Sequence, residues 1–193
     1  MHDVPHFDRV APVYDLLVPS TDPAPLSAGL AAASRPVERV VDLGGGTGRA
    51  SRSLSDQSVV VDASQPMLSK AREHDHPTVR GDVRAVPLAT DSVDAIVSVD
   101  AVHHLPDVET VLAEAKRVLR PGGVIVVRDF DPQTIRGRAL SLAERVVGFD
   151  SEFFPVAEIV ASLTATGFEP TVLERGFPYT VVGRMEDAAG GTV

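Results

Sequence analysis

The stretch RVVDLGGGTGRA, residues 39–50, decides the fold of this chain. A β-branched apolar run leads into a cluster of glycines, and small and basic residues follow. A glycine-rich turn between a strand and a helix is typical of nucleotide-binding α/β proteins, because it brings backbone N–H groups close to an anionic ligand. The stretch therefore indicates a nucleotide-like ligand, and the spacing of its glycines indicates which one.

Two common glycine patterns do not fit this turn. A P-loop requires G-x-x-x-x-G-K-[ST], whereas Gly48 is followed by Arg49. The dinucleotide fingerprint G-x-G-x-x-G requires glycine or alanine where Arg49 or Ser51 stands, depending on the frame. The pattern present is D-x-G-x-G-x-G, formed by Asp42, Gly44, Gly46 and Gly48. It suits a ligand whose carboxylate meets backbone N–H groups and whose ammonium meets the aspartate, whereas a plain tight turn needs fewer glycines.

Short apolar runs alternate with helical segments on both sides of this turn. The predicted strands are 38–43, 58–62, 77–81, 94–99 and 123–130, and their successive Val and Ile residues are typical of strands buried on both faces. Between them we predict a short helix from about Thr47, a helix capped by Ser64, and a helix over 107–120 that stops at Pro121. This alternation predicts a parallel sheet with right-handed crossovers and helices on both faces.

Helices are also predicted before and after this core. Asp22 caps a helix upstream, and residues 7–18 form a short amphipathic segment that can lie over a pocket. Two helices, 132–148 and 155–167, precede an antiparallel pair of strands at 169–176 and 178–185. Seven strands are therefore expected.

The composition indicates one acidic, globular domain. The 193 residues contain 44% hydrophobic residues and no repeat, so we expect one domain over 1–193. Its expected parts are an N-terminal helical cap at 1–35, a core at 36–130, and substrate-side helices with a hairpin at 131–193. The net charge of −9 argues against a nucleic-acid partner. The absence of cysteine excludes disulfides and thiolate chemistry, and no membrane span or signal peptide is evident, so we expect a cytoplasmic protein.

Two further acidic residues follow the next predicted strands. Asp62 ends the second strand, where a carboxylate suits a ribose diol, although it could instead cap the following helix. After the third strand, Asp82 could accept from an adenine amino group while the Val83 N–H meets a ring nitrogen. Met67 suits either packing against the adenine face or an ordinary helix core.

Taken together, these segments resemble the class I S-adenosylmethionine-dependent methyltransferases, in particular the small-molecule group that contains the ubiquinone and menaquinone biosynthesis methyltransferases. The matching segments are FDRVAPVYD (7–15), VVDLGGGTG (40–48), VDASQPML (61–68), GDVRAVPLATDSVDAIVS (81–98), AVHHLPD (101–107) and AKRVLRPGGVIVV (115–127). The resemblance implies a Rossmann-like, doubly wound sheet of order 3-2-1-4-5-7-6 with the last strand antiparallel. It also implies S-adenosyl-L-methionine as cofactor, S-adenosyl-L-homocysteine as product, and methyl transfer to a small-molecule acceptor.

The resemblance assigns residues to each part of the cofactor. It places Asp42 and the glycines around the methionine part, Asp62 near the ribose, and Asp82 with Val83 near the adenine. Residues at the end of the fourth strand border the sulfonium, and an N-terminal tyrosine closes over the carboxylate. The implied cofactor-binding residues are Tyr14, Asp42, Gly44, Gly46, Gly48, Asp62, Ala63, Met67, Asp82, Val83, Ser98 and Val99.

The catalytic residues are less constrained, because in-line displacement mainly requires collinear positioning in a site shielded from water. His103 and His104 follow the fourth strand and are the candidates for a base; alternatively, one of them caps or packs against the next helix. Two other groups contain histidine: HDH at 74–76, and His2, Asp3 and His6 in the N-terminal tail. Neither group supplies a closed set of metal ligands. We therefore expect no functional metal site.

The N-terminal segment and residues 131–155 are expected to form the acceptor site. An apolar or aromatic small molecule is favoured. Arg136 and Arg138 either pair with an anionic acceptor or lie on the surface of a helix. The candidates for an aromatic lid, which could instead pack in the core, are Phe7, Tyr14, Phe149, Phe153 and Phe154. We expect a monomer or homodimer. Two alternative functions are a non-catalytic scaffold or regulatory protein that binds S-adenosylmethionine or S-adenosylhomocysteine, and a nicotinamide oxidoreductase.

Overall fold

Seven strands form the central sheet of the protein, described here by a computed structural model that covers residues 3–54 and 58–187. The strand order is β3-β2-β1-β4-β5-β7-β6, which confirms the predicted order. Strands β1 to β5 run parallel, and β7 runs antiparallel to both β5 and β6. The strands are β1 (Val40–Leu43), β2 (Ser58–Asp62), β3 (Thr78–Arg80), β4 (Val93–Val99), β5 (Leu119–Phe130), β6 (Glu169–Glu174) and β7 (Pro178–Arg184).

Helices cover both faces of this sheet. The α-helices are α1 (Val4–Val10), α2 (Tyr14–Leu17), α3 (Pro23–Leu30), α4 (Gln65–Glu73), α5 (Val108–Val118), α6 (Ile135–Val147) and α7 (Val156–Ala165). Two short 3-10 helices, Ser51–Ser53 and Val102–His104, lie in the loops after β1 and β4. Among the described residues, none of the helices is long and apolar enough to cross a bilayer.

The alternation of side chains along the buried strands creates two apolar cores. Val41 and Leu43 of β1 point to the face where α5 and α7 pack. Val40 and the alternate residues of β4 and β5 point to the other face, where Leu26 of α3 is fully buried. Asp42 alternates with Val41 and therefore lies on the face of Val40, so the chain places a charged residue inside an apolar layer.

Two helices, α3 and α4, begin at the predicted side-chain caps, and α6 has a cap that was not predicted. The Asp22 carboxylate accepts from Ala24 N–H at 3.0 Å, and the Ser64 hydroxyl accepts from Met67 N–H at 3.2 Å. Helix α6 begins after Thr134, and it ends at Gly148, whose φ of 93° is the left-handed conformation that glycine adopts readily.

Two local predictions are wrong. The short helix expected from Thr47 is instead a series of turns followed by one 3-10 turn, because Gly48 has a φ of 77° that interrupts helical geometry. Helix α5 ends at Val118 rather than at Pro121, and β5 begins at Leu119, which pairs with Val93. The proline and glycines that were predicted to form the turn therefore lie inside an irregular part of β5, where Gly122 has a φ of 77°.

Helix α3 approaches β5 closely at Gly29. A Cβ atom built there would lie 2.7 and 2.8 Å from the two methyl carbons of Val126, a side chain with no exposed surface. We expect Gly29→Ala to lower the free energy of unfolding by about 1–3 kcal/mol, because the overpacked helix must move away from the sheet. Denaturant unfolding measures this change, and Ser27→Ala, on an exposed position of the same helix, is the control. Equal stability of the two variants would contradict the close packing.

Candidate active site

A cavity lies at the carboxyl ends of β1, β2 and β4, where doubly wound sheets bind ligands. It offers about 750 Å3 of space, part of which is open to solvent. The N-terminal segment, the glycine turn and the loop after β4 form its walls. The lining residues are Asp3, Val4, Phe7, Tyr14, Asp42, Gly44, Gly45, Gly46, Arg49, Ala50, Asp62, Ala63, Met67, Val83, Val99, Asp100, Ala101, His104 and Leu105.

The glycine turn shapes the wall beside β1. Gly44 and Gly46 have φ values of 70° and 55°, which side chains with a Cβ rarely adopt. A Cβ on Gly45 would lie 2.4 Å from the carboxyl carbon of Asp42, so only glycine lets the turn pass over that carboxylate. A Cβ on Gly46 would meet no atom within 4 Å, because this position faces open space.

Asp42 is a fully buried carboxyl group at the cavity wall. Its Oδ2 accepts from the Ser51 N–H at 3.1 Å and from the Ser51 hydroxyl at 2.9 Å. Its buried Oδ1 has no hydrogen-bond partner within the described part of the chain. Burial raises the pKa of Asp42 to about 6, against the opposing effect of the Ser51 hydrogen bonds. The site therefore holds an incompletely satisfied carboxylate that a ligand with N–H donors would complete.

Asp62 supports the other side of the same turn. Its Oδ2 accepts from the Gly46 N–H at 2.9 Å, and its Oδ1 accepts from the Ser64 N–H at 2.7 Å. These two bonds fix the carboxylate at the cavity wall while each oxygen can still accept another hydrogen bond. Asp62 therefore orders the glycine turn and offers acceptors to a ligand.

The N-terminal segment lies against the cavity and is tied to its rim by carboxylates. Asp8 accepts from the Ser64 hydroxyl at 2.6 Å, and Asp15 accepts from the Thr47 hydroxyl at 2.6 Å. Between them, the rings of Phe7 and Tyr14 lie 6.2 Å apart, edge to face, and both line the cavity. The segment that the sequence analysis predicted to lie over a pocket does so.

A buried ion pair joins the glycine turn to the loop after β4. The Arg49 guanidinium lies 2.7 Å from the Asp100 carboxylate, with side chains 8% and 19% exposed. Arg49 also donates to the Pro19 carbonyl and lies over the Tyr14 ring at 5.7 Å. Asp100 has a φ of 50°, so this acidic residue is held in a strained backbone conformation at the cavity wall.

His103 lies behind the cavity in a network of carboxylates. Its Nδ1 lies 2.5 Å from Asp129 Oδ1, its Nε2 lies 3.6 Å from Glu144 Oε1, and its ring stacks on Phe153 with the centroids 4.4 Å apart. Burial alone would favour the neutral ring, but Asp129 and Glu144 outweigh it and raise the pKa of His103 to about 10. His103 is therefore an imidazolium at neutral pH.

His104 lines the cavity and differs from its neighbour in charge. Its Nδ1 lies 2.8 Å from Asp3 Oδ2 and 3.2 Å from the Ser151 hydroxyl. Burial and the positive charge of His103 lower the pKa of His104 to about 4. His104 is therefore neutral at physiological pH, and it also borders a second cavity that contains His103, Ser151 and Asp150 in its wall.

Ten of the fourteen predicted site residues line the main cavity, including His104 and most of the cofactor residues. The other four lie elsewhere. Gly48 supports the turn from behind, near His76 and Val60, and Ser98 is buried at 2% exposure among apolar side chains. The Asp82 carboxylate forms an ion pair with the Arg84 guanidinium at 2.7 Å, and the Asp82 side chain is 35% exposed. His103, the fourth, lies behind His104.

The residues that the sequence analysis missed come from distant parts of the chain. Asp3 lies beside His104, although 101 positions separate them. Glu144 of α6 and Asp129 of β5 hold His103, and neither has a local motif that marks it. His2, which was grouped with Asp3 and His6, lies outside the described residues. Arg49 had a visible signal, since a basic residue directly after a glycine turn faces the acidic ends of the neighbouring strands.

Comparisons with known proteins agree with this geometry. Residues 41–127 match the family model described as a methyltransferase domain. A malonyl-[acyl-carrier protein] O-methyltransferase from Methylococcus capsulatus is 32% identical over 180 residues, covering 84% of this chain and 64% of the relative. A demethylmenaquinone methyltransferase from Beutenbergia cavernae is 39% identical over 145 residues, covering 67% and 58%.

Solved structures show the same fold. A SAM-dependent methyltransferase from Thermotoga maritima superimposes with a TM-score of 0.73 at 22% identity, covering 96% of this chain and 97% of that one. The chain spans about half the length of the first curated relatives that it matches. The resemblance to class I methyltransferases, the doubly wound fold and its strand order are therefore confirmed.

Proposed function

Because residues 41–127 of this chain belong to the methyltransferase domain family, we propose that it transfers a methyl group from S-adenosylmethionine to a small-molecule acceptor. The observation that carries this proposal is the buried carboxylate of Asp42, which lines the cavity with one oxygen unpartnered within the described residues. An amino-acid ammonium group supplies the N–H donors and the positive charge that such an oxygen lacks.

The residues at the cavity wall fit the rest of this cofactor. The backbone N–H groups of the glycine turn suit its carboxylate, and Asp62 suits its ribose hydroxyls. Met67 and Val83 offer apolar contact to a flat base. Asp82 is not among the described residues that line the cavity, so its assignment to the adenine stays a prediction.

When bound, the cofactor supplies an electrophilic methyl group on a sulfonium. The chain contributes position and shielding. Val99, Ala101 and Leu105 form an apolar wall beyond the glycine turn, and Phe7 with Tyr14 covers the opposite side. Such a wall excludes water and holds the reacting atoms in line, and no side chain has to form a covalent bond.

The two histidines take different parts in this proposal. His104 is neutral, lines the cofactor cavity and also borders the second cavity, so we assign it to contact with the acceptor. His103 is a positioning residue: its ring lies 4.1 Å from that of His104, and its charge holds Glu144 and Asp129 in place. The assignment of either histidine as a base for a hydroxyl or an acidic carbon stays a prediction, and the low pKa of His104 makes it a weak base.

The acceptor enters through the second cavity. Phe149 contacts both Phe7 and His104, with ring centroids 5.3 and 5.2 Å apart, and Phe153 stacks on His103. Of these rings, Phe7 lines the main cavity, where it offers apolar contact to a small acceptor with an aromatic or apolar part. A non-catalytic scaffold with the same cofactor site is the alternative.

Calorimetric titration of the full chain tests this function. We expect S-adenosylhomocysteine to bind at one site with micromolar or tighter affinity and NADH to release no heat. Binding of NADH in place of S-adenosylhomocysteine would overturn the proposal. Transfer of a labelled methyl group across a panel of phenol, quinol and carboxylate acceptors then separates the enzyme from the scaffold, which binds the cofactor but labels none of them.

A further inference from the structure

A group of potential metal ligands lies beside the second cavity, and one of its members, His104, lines both cavities. His103, His104 and Glu144 each place one ligand atom within 4.8 Å of the other two. All three side chains are buried or half-buried, so they are not a solvated acidic surface. Two imidazoles and one carboxylate form a ligand set that zinc and other first-row divalent transition ions prefer.

The spacing of one pair in the group, His103 and Glu144, suits a shared ion better than a direct hydrogen bond. His103 Nε2 and Glu144 Oε1 are 3.6 Å apart, beyond the usual range of an N–H···O hydrogen bond. Two ligand atoms that each lie about 2.1 Å from one tetrahedral ion are about 3.4 Å apart. The observed separation therefore matches a pair that faces a common ion.

The opposite side of the His103 ring is fixed as in many metal sites. Asp129 Oδ1 lies 2.5 Å from Nδ1, while Asp129 Oδ2 accepts from the His103 backbone N–H at 3.1 Å. A carboxylate in this position orients the imidazole and makes its other nitrogen a better ligand. The ring thus points Nε2 toward Glu144.

The group is also open on one side. Asp3, whose Oδ2 lies 2.8 Å from His104 Nδ1, and the Ser151 hydroxyl border the same second cavity. A site with three protein ligands and an open position can bind an oxygen of another molecule. Here that open position faces the space through which the acceptor enters.

We propose that His103, His104 and Glu144 bind a divalent first-row transition ion such as zinc beside the second cavity. In the metal-free chain His103 is an imidazolium, so the ion takes the place of its Nε2 proton, which is released to solvent on binding. The expected absence of a functional metal site rested on other histidines, at 74–76 and in the N-terminal tail. The ion binds an oxygen of the acceptor beside the cofactor. That role rests on the proposed function, whereas ion binding itself does not.

Titration of the untagged, metal-free chain with Co2+ tests the site. We expect one ion per chain, a visible absorption band from Co2+ with nitrogen and oxygen ligands, and loss of the band when Zn2+ is added. Glu144→Gln should weaken binding by at least tenfold, and Asp129→Asn by about 10–100-fold through the His103 ring. His74→Ala, on the exposed 74–76 segment, is the matched control and should bind Co2+ like the unmodified chain.

Parallel titration with S-adenosylhomocysteine separates the two proposals and shows that each variant is folded. If the chain shows no Co2+ band, or if Glu144→Gln binds Co2+ as tightly as the unmodified chain, the metal site is wrong. A Co2+ site that survives in a chain that does not bind S-adenosylhomocysteine would leave the metal site standing and refute the methyltransferase proposal.

Discussion

Replacing Asp42 with asparagine is expected to stabilise the ligand-free protein and to weaken cofactor binding. Burial raises the pKa of this carboxyl from 3.8 to about 6. Because the folded state then holds the proton more tightly than the unfolded chain, the free energy of unfolding falls as the pH rises through this window. The loss is about 3 kcal/mol when the group is fully ionised.

Asparagine removes this penalty while keeping an acceptor for Ser51. At pH 7.5 we expect the free energy of unfolding of Asp42→Asn to exceed that of the unmodified chain by about 1–3 kcal/mol, and at pH 4 we expect the two to be equal. Denaturant unfolding at both pH values measures this. The affinity for S-adenosylhomocysteine should fall at least tenfold, since the charge that faces its ammonium is lost.

The control is Asp22→Asn, which changes the exposed helix cap of α3 and should alter neither stability nor affinity, because both residues cap helices well. An Asp42→Asn variant that is less stable than the unmodified chain at pH 7.5 would show that the carboxylate is a structural element of the fold. If Asp42→Asn binds S-adenosylhomocysteine as tightly as the unmodified chain, Asp42 does not contact the cofactor.

The second large effect concerns Asp62. We expect Asp62→Ala to lower the affinity for S-adenosylhomocysteine by about 10–100-fold, equivalent to about 1–3 kcal/mol. The variant loses the acceptors assigned to the ribose and releases the Gly46 N–H that orders the turn. Calorimetric titration measures the change.

Asp82→Ala is the matched comparison, because the resemblance assigns Asp82 to the adenine while the structure pairs its side chain with Arg84. We expect this variant to lose less affinity than Asp62→Ala. A larger loss of affinity in Asp82→Ala would mean that the ion pair between Asp82 and Arg84 breaks when the ligand binds, so that the carboxylate can contact the ligand.

The fold was predictable because its signals are local. The glycine turn follows β1 directly, the buried strands are runs of Val and Ile, and the caps Asp22 and Ser64 stand directly before their helices. The failures were also local. The helix predicted from Thr47 is absent from the described residues because Gly48 is left-handed. Strand β5 begins before Pro121 and Gly122, and not after them, because Leu119 pairs with Val93 of β4.

The cavity carboxylates Asp42 and Asp62 were predictable for the same reason, since they lie at the carboxyl ends of β1 and β2. The network around the two histidines was not. Asp3, Asp129 and Glu144 meet His103 and His104 only because α1, β5 and α6 converge there. No periodicity or short motif encodes a contact between residues 3 and 104, so only the folded chain shows it.

The two outer strands of the sheet bear on how copies of this chain can associate. β3 has only three residues, and β6 carries Pro170, which has no N–H to donate, between charged residues that pair across to β7 and β5. Edge strands that are short, charged or interrupted by proline disfavour pairing with a strand from another chain. Within the described residues, the two edge strands therefore disfavour extension of the sheet from one copy of the chain to the next, which is the contact that fibrils require.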